Sequence, residues 1–293
     1  MALPQGSTDV AAKRPAAAPA DATPGHAAMP WPALAKISAR QNAANLWRYL
    51  KRARFVLLPN RYGSTGILRA RFNDAVFVSP RGRYLYAANE KAANSTMRAT
   101  LQMLECGGQL PVHYKPYKRW TGPLLQPSDV ADFEALLADR SIYKFCVVRN
   151  PYARLVSCYR NKLERGGHRA FRRKARELGL DPRQPMPFDS FVRALARQDQ
   201  KKMNPHWRIQ YYNVFMDMIA YDEIIRYEDF NSRFPALVAK LYPESGDAMD
   251  AVVSRNRHEV NSNELIGRYF TPELKDIVRS VYRLDFETFG YER

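Results

Sequence analysis

The chain has 293 residues, 46% hydrophobic and 12% aromatic, with 46 Lys and Arg against 29 Asp and Glu, for a formal charge of +17. That is enough apolar material for one large α/β domain or two small ones, and it excludes a chain too polar to bury a core. The excess of positive charge favours polyanions, nucleotides or an anionic membrane surface as partners and does not choose among them. The three cysteines, Cys106, Cys146 and Cys158, are odd in number and lack metal-type spacing, so neither a disulfide framework nor a zinc site is indicated and a reducing compartment fits.

Residues 1–30 are rich in Ala and Pro, contain Asp9, Lys13 and Arg14, and have no continuous apolar run, which predicts a disordered tail without a signal peptide. No segment approaches the ~20 apolar residues that span a bilayer. Residues 31–58 predict a basic amphipathic helix, with Leu34, Ile37, Ala43, Leu46, Trp47 and Leu50 on one side and Lys36, Arg40, Arg48, Lys51, Arg52 and Arg54 largely elsewhere. Two readings stand for it: a helix that packs its apolar face and solvates its basic one, or a peripheral contact with an anionic membrane or a partner. Residues 60–82, with several Gly, Asn and Arg around Ala75-Val76-Phe77-Val78, read as a loop carrying an edge element.

The core then begins. Residues 84–89 read as a strand and 95–105 as a helix, 143–148 as a buried β-branched strand, and 151–163 as a helix with Pro151 in its first turn. Helices are expected at 188–198 and at 271–284, the latter with Thr271 as N-cap and Pro272 at N1, and a strand at 222–228, after which Asp229 can cap a helix. Strands alternating with helices predict a parallel sheet covered on both faces.

Two junctions share one design, an apolar run, a basic residue, then small or hydroxyl residues at a helix start. The first places Lys91 before Ala92, Ala93, Asn94, Ser95 and Thr96. The second places Arg149 before Asn150-Pro151, with Ser157 about two turns into the helix. A helix N-terminus offers unbonded N–H groups and a positive dipole end to a phosphate, so two junctions predict a ligand with two separated anionic groups. The first is not a Walker A loop, which needs glycines first and Gly-Lys-Ser/Thr last. Lys91 can neutralise charge developing on a leaving group, and an Arg149 fork with the Ser157 hydroxyl can share one phosphate. Taken singly, each junction is read first as an ordinary helix start beside a solvated or paired cation, and only the two together favour the anion sites.

Together, Lys91-Ala92-Ala93-Asn94-Ser95-Thr96, Val148-Arg149-Asn150-Pro151 through Ser157-Cys158-Tyr159, His206-Trp207-Arg208-Ile209-Gln210, Tyr221 through Phe230, and Tyr269 through Tyr291 resemble the sulfotransferases, in particular the carbohydrate sulfotransferases of the family-2 type. The similarity spans roughly residues 84–293. It implies a P-loop-like three-layer α/β fold with a central parallel sheet flanked by helices, in a domain at 59–293. It also implies transfer of a sulfuryl group from 3′-phosphoadenosine 5′-phosphosulfate (PAPS), without a metal, to a hydroxyl of a carbohydrate or glycolipid. Residues 91–96 would then hold the 5′-phosphosulfate, and Arg149 and Ser157 the 3′-phosphate. Glu90 stands where the family usually has Pro, and the absence of an Arg-Lys-Gly motif near the C-terminus favours the carbohydrate branch.

For the base, His26, His168 and His258 lie in polar or terminal segments, which leaves His206 first and His113 second, with Glu90 and Glu105 as carboxylate alternatives. Glu228 and Asp229 read as a cap and a sheet-edge pair, Trp207, Tyr211 and Tyr212 as core aromatics or a sugar platform, and Arg169 to Arg176 as a basic helix face or a glycan-steering patch. The competing functions are a P-loop-like nucleotide-dependent kinase, for which neither the Gly-rich loop nor a Mg²⁺ carboxylate is evident, and a basic nucleic-acid-binding protein, for which no signature is found; no nucleic acid is expected. A cytoplasmic location, at the inner membrane surface, is the expectation.

Overall fold

The computed structural model describes residues 31–108, 122–164, 166, 169–244 and 262–292, with side chains from residue 43 onward in the first helix and from 264 in the helix at 262. The expected tail and His26, His113, His168 and His258 lie outside the described residues. The chain divides into residues 1–43 and residues 44–293, and the helix α1 (Trp31–Leu57) crosses that boundary.

Four strands form one sheet in the order β1 (Val76–Ser79), β2 (Tyr84–Ala87), β3 (Tyr143–Val148) and β4 (Glu223–Arg226). β2, β3 and β4 are parallel as expected, paired Ala87 to Cys146 and Val148 to Arg226, whereas β1 is antiparallel, so the sheet is mixed. The reason is the connection. Only Pro80 to Arg83 separate β1 from β2, and four residues make a hairpin but cannot make the crossover that a parallel neighbour requires. The free side of β1 is closed by Leu125, whose N–H and carbonyl both bond Val78.

Alternation along the strands sorts the core. Tyr84, Tyr86, Phe145 and Val147 meet α3 (Asn94–Glu105) and α9 (Phe230–Leu241) on one face. Leu85, Ala87, Cys146 and Val148 meet Phe72 of α2 (Gly66–Ala75), Phe133 of α4 (Phe133–Ala138) and Val214-Phe215 on the other. A further helical core gathers α5 (Pro151–Lys162), α6 (Arg169–Glu177), α7 (Phe188–Leu195), the short α8 (Gln210–Asn213), α10 (Ser262–Tyr269), α11 (Pro272–Val281) and α12 (Arg283–Phe289) around Trp207 and Tyr282.

Three expectations need correction. Residues 60–82 are not mainly loop: Thr65 accepts the Leu68 N–H and starts α2, whose Phe72 is fully buried, a helix too short for its period to stand out among the Arg and Gly residues. The last predicted helix stops at Val281, and α12 follows at once. Asp229 occupies the N-cap of α9 without a side-chain capping bond. Thr271, by contrast, caps α11 through the Leu274 N–H with Pro272 at N1, as expected.

Candidate functional site

β2 and β3 are adjacent and parallel, so the two strand-to-helix junctions leave the same edge of the sheet side by side, about 5 Å apart at the strand ends. β4 brings Tyr227 and Glu228 to that edge as well.

The first junction is open. Lys91 and Ala93 adopt left-handed backbone at φ 71° and 53°, unusual for residues with a Cβ and costing roughly 1–2 kcal/mol each. Ala93 sits at the N-cap of α3 and provides no side-chain cap to the N–H groups of the first turn. Asn94 Oδ1 is buried without a hydrogen-bond partner. A strained turn, an uncapped helix start and a half-buried lysine together fit a phosphate-type group.

The second junction differs from the sequence reading. Asn150 Oδ1 accepts the N–H groups of Tyr152 and Ala153, and Glu228 Oε1 accepts the Asn150 N–H at 2.8 Å, so α5 begins already capped. The side chains expected at this site are the Arg149 guanidinium, 4.3 Å over the Tyr227 ring and donating to the Lys91 carbonyl at 3.3 Å, and the half-buried Ser157 on α5. Glu228, read from the sequence as half of a cap and sheet-edge pair with Asp229, instead bonds the N-cap residue of α5 and also accepts from Tyr291 at 2.9 Å.

A buried polar network joins Arg149 to the rest of the site through Asn89, Arg154, Gln210 and Asp285, to which the sequence reading gives no role. Gln210 Oε1 accepts from Asn89 Nδ2 and from the Arg149 N–H at 2.8 Å, while its Nε2 donates to the Arg149 carbonyl. Asp285, fully buried in α12, accepts the Gln210 and Tyr211 N–H groups at 2.9 Å each. Its burial pushes the carboxyl up to about 6 against those hydrogen bonds, which favour the charged form. Arg154, 1% exposed, donates to the carbonyls of Glu90, Arg208 and Pro205. It clamps the lysine loop to the His206 segment and sets a cation beside Glu90, offsetting the acid that replaces the usual proline.

His206 is held in this field. Burial first, then Lys174, Lys162, Lys91 and Arg154, push its imidazole down to about 3. Burial likewise lowers Lys91, with Lys162 and Arg149 acting in the same direction, and raises the fully buried Cys158 thiol to about 11, so that this cysteine is no nucleophile. His206 Nδ1 is buried without a hydrogen-bond partner. The basic run Arg169 to Arg176 is therefore not one solvated face, because Lys174 turns inward, 4% exposed and 5.3 Å over the Trp207 ring. Trp207 is fully buried and bonds Gln198, a core residue rather than a sugar platform. Glu105 accepts from Ser79 and Tyr242 at the opposite edge of the sheet, which removes it as a base.

A dianion entering among Lys91, Lys162 and Lys174 offsets the charges that depress His206. Its pKa is expected to rise above 3 when adenosine 3′,5′-bisphosphate is added, while burial keeps it below 6.5, followed by the imidazole NMR shifts across pH. An imidazole that titrates near 6.5 without ligand defeats this account. Because the folded pKa is depressed, the stability due to neutral His206 is present above pH ~6.5 and is lost as pH falls from there toward 3.

The chain belongs to the sulfotransferase family, whose model matches residues 74–292. Among individual proteins, it is similar to carbohydrate sulfotransferase 14 of Danio rerio, 28% identical over 234 residues, with 74% of this chain and 62% of the relative covered. The Homo sapiens carbohydrate sulfotransferase 14 is 27% identical over 239 residues, covering 74% and 60%. Carbohydrate sulfotransferase 11 of Rattus norvegicus is 27% identical over 170 residues, covering 52% and 47%. The chain thus spans about three fifths of the length of the carbohydrate sulfotransferase 14 relatives. No solved structure matches it.

Proposed function

We propose that this chain transfers a sulfuryl group from PAPS to a hydroxyl of a carbohydrate or glycolipid. The observation that carries the reading is the pairing of an open, strained lysine turn with an arginine-bearing junction on neighbouring parallel strands, the Lys91 carbonyl bonded to the Arg149 guanidinium. That pairing supports two anion sites of different make, backbone N–H groups plus Lys91 in one and the Arg149 and Ser157 side chains in the other. A lysine at a strand-to-helix turn also supports the P-loop-like reading of the fold. The donor, when bound, supplies the activated sulfuryl group. Residues 91–96 hold its phosphosulfate end, and Arg149 and Ser157 hold its 3′-phosphate. Lys91 neutralises the departing phosphate oxygen, and His206, neutral in this field, takes the acceptor proton. The carbohydrate sulfotransferase relatives support a glycan acceptor.

Isothermal titration with adenosine 3′,5′-bisphosphate, AMP and ATP tests the reading. The bisphosphate is expected to bind selectively, and Arg149→Ala to weaken it by roughly 30-fold or more while leaving the weaker AMP binding nearly unchanged, the loss of a charge-assisted fork. Equal binding of all three nucleotides, or of none, overturns the two-phosphate site.

A further inference from the structure

Every large hydrophobic side chain exposed among the described residues falls in one short stretch: Leu46, Trp47, Tyr49, Leu50, Leu57, Leu58 and Ile67, each 49% to 74% exposed. Six of them sit on or just beyond the part of α1 that belongs to the second unit. At about 100° per residue, Leu46, Leu57, Leu50, Arg54, Trp47, Leu58 and Lys51 fall in that order within an arc of roughly 140°.

The opposite arc carries Arg48, Arg52, Phe55 and Val56, and it is this arc that meets the body. Arg52 binds Asp74 through two hydrogen bonds of 2.8 and 3.0 Å, Arg48 reaches the Gly122 carbonyl and Asp129, and Phe55 stacks on Tyr62. The helix is thus mounted with Arg48 and Arg52 ion-paired inward and Leu46, Trp47, Leu50 and Leu57 outward, the reverse of a helix that packs its apolar stripe. The packing reading of this segment is therefore set aside.

We infer that this face is a docking surface for an anionic phospholipid bilayer, with α1 lying in the interfacial plane. Charge complementarity selects the occupant. No acidic residue occurs between Asp21 and Asp74, and the cations left on the outward arc, Lys51 and Arg54, stand among the apolar side chains rather than opposite them. Trp47, with a lysine whose amine lies 5.8 Å over its ring, forms the aromatic-and-basic pattern that suits the headgroup layer. A second copy of the chain is a poor occupant, because an isologous contact would set Lys51 and Arg54 against their own counterparts with no acid to receive them. No described helix is long and apolar enough to cross a membrane, so the contact is interfacial. The inference stands apart from the sulfuryl-transfer reading, since none of these residues lies at the sheet edge that holds Lys91 and Arg149.

Co-sedimentation of the full chain with phosphatidylcholine vesicles, with and without phosphatidylserine, tests it. Binding is expected to need phosphatidylserine, to fall about 30-fold or more in a Lys51→Glu/Arg54→Glu variant, and to fall about tenfold for each of Leu50→Ser and Leu57→Ser. Brominated lipid should quench tryptophan fluorescence by an amount that Trp47→Phe reduces. Unchanged adenosine 3′,5′-bisphosphate binding by the variants shows that they fold. Equal binding to both vesicle types, no binding to either, or concentration-dependent dimers in the ultracentrifuge that Leu50→Ser dissolves would each overturn the inference, the last by making the face a self-association surface.

Discussion

Replacing Lys91 by alanine is expected to lower kcat with PAPS and an accepted glycan by 10²–10³-fold, about 3–4 kcal/mol, while raising the dissociation constant of adenosine 3′,5′-bisphosphate far less. The asymmetry follows from where the lysine stands. Its main-chain carbonyl is bonded to Arg149 and its backbone is held left-handed, so the turn that shapes the site depends on the backbone rather than on the ammonium group. The ammonium group is half-buried among other cations, which gives its charge more effect than it would have in water. Charge on the leaving oxygen grows only as the sulfuryl bond breaks, so the lost interaction belongs mostly to the transition state. Steady-state kinetics beside equilibrium titration separate the cases. An unchanged kcat with binding weakened instead would make Lys91 a ground-state ligand only.

Asp285→Ala is expected to destabilise the fold by about 3–5 kcal/mol, lowering Tm by roughly 10 °C, and to weaken bisphosphate binding although Asp285 touches no proposed ligand. The substitution leaves the Gln210 and Tyr211 N–H groups buried without acceptors and releases the Gln210 amide from the carboxylate it also meets at 3.3 Å. That amide holds both the N–H and the carbonyl of Arg149, so slack there reaches the guanidinium. Asp285→Asn separates charge from shape. With the folded carboxyl raised to about 6 from 3.8, the stability due to Asp285 is full below pH ~4 and is lost as pH rises through 6. The urea midpoint of the wild type should fall across that window relative to the Asn variant, a trend opposite in sign to that of His206. Parallel profiles would show that Asp285 is ionised in both states.

The two junctions were legible in the sequence because their signals are local. A run such as Phe145-Cys146-Val147-Val148 has few alternatives to a buried strand, and Pro151 marks a first helical turn wherever the helix lies. The difference between the junctions was not legible. Ala93 and Asn150 stand at equivalent positions, yet one leaves its helix open and the other closes it with the help of Glu228, 78 residues away. Glu105 read as a carboxylate alternative for the base from the resemblance to the family, whereas α3 carries it to the far edge of the sheet.

The sequence by itself determined the elements that carry the chemistry: the strand ends, the helix starts, the basic residue at each, and an amphipathic α1. These depend on periods of two and 3.6 residues and on capping chemistry, all confined to one or two turns of chain. Tertiary structure alone decided that Asn89, Arg149, Gln210 and Asp285 form one network, that Lys174 turns inward onto Trp207 while the arginines of α6 remain at the surface, and that α1 presents Leu46, Leu50 and Leu57 outward. Each depends on which side of an element meets the rest of the body. That is set by partners distant in the chain, from 22 residues for Arg52 and Asp74 to 121 for Asn89 and Gln210, and by whether burial there leaves a polar group an acceptor.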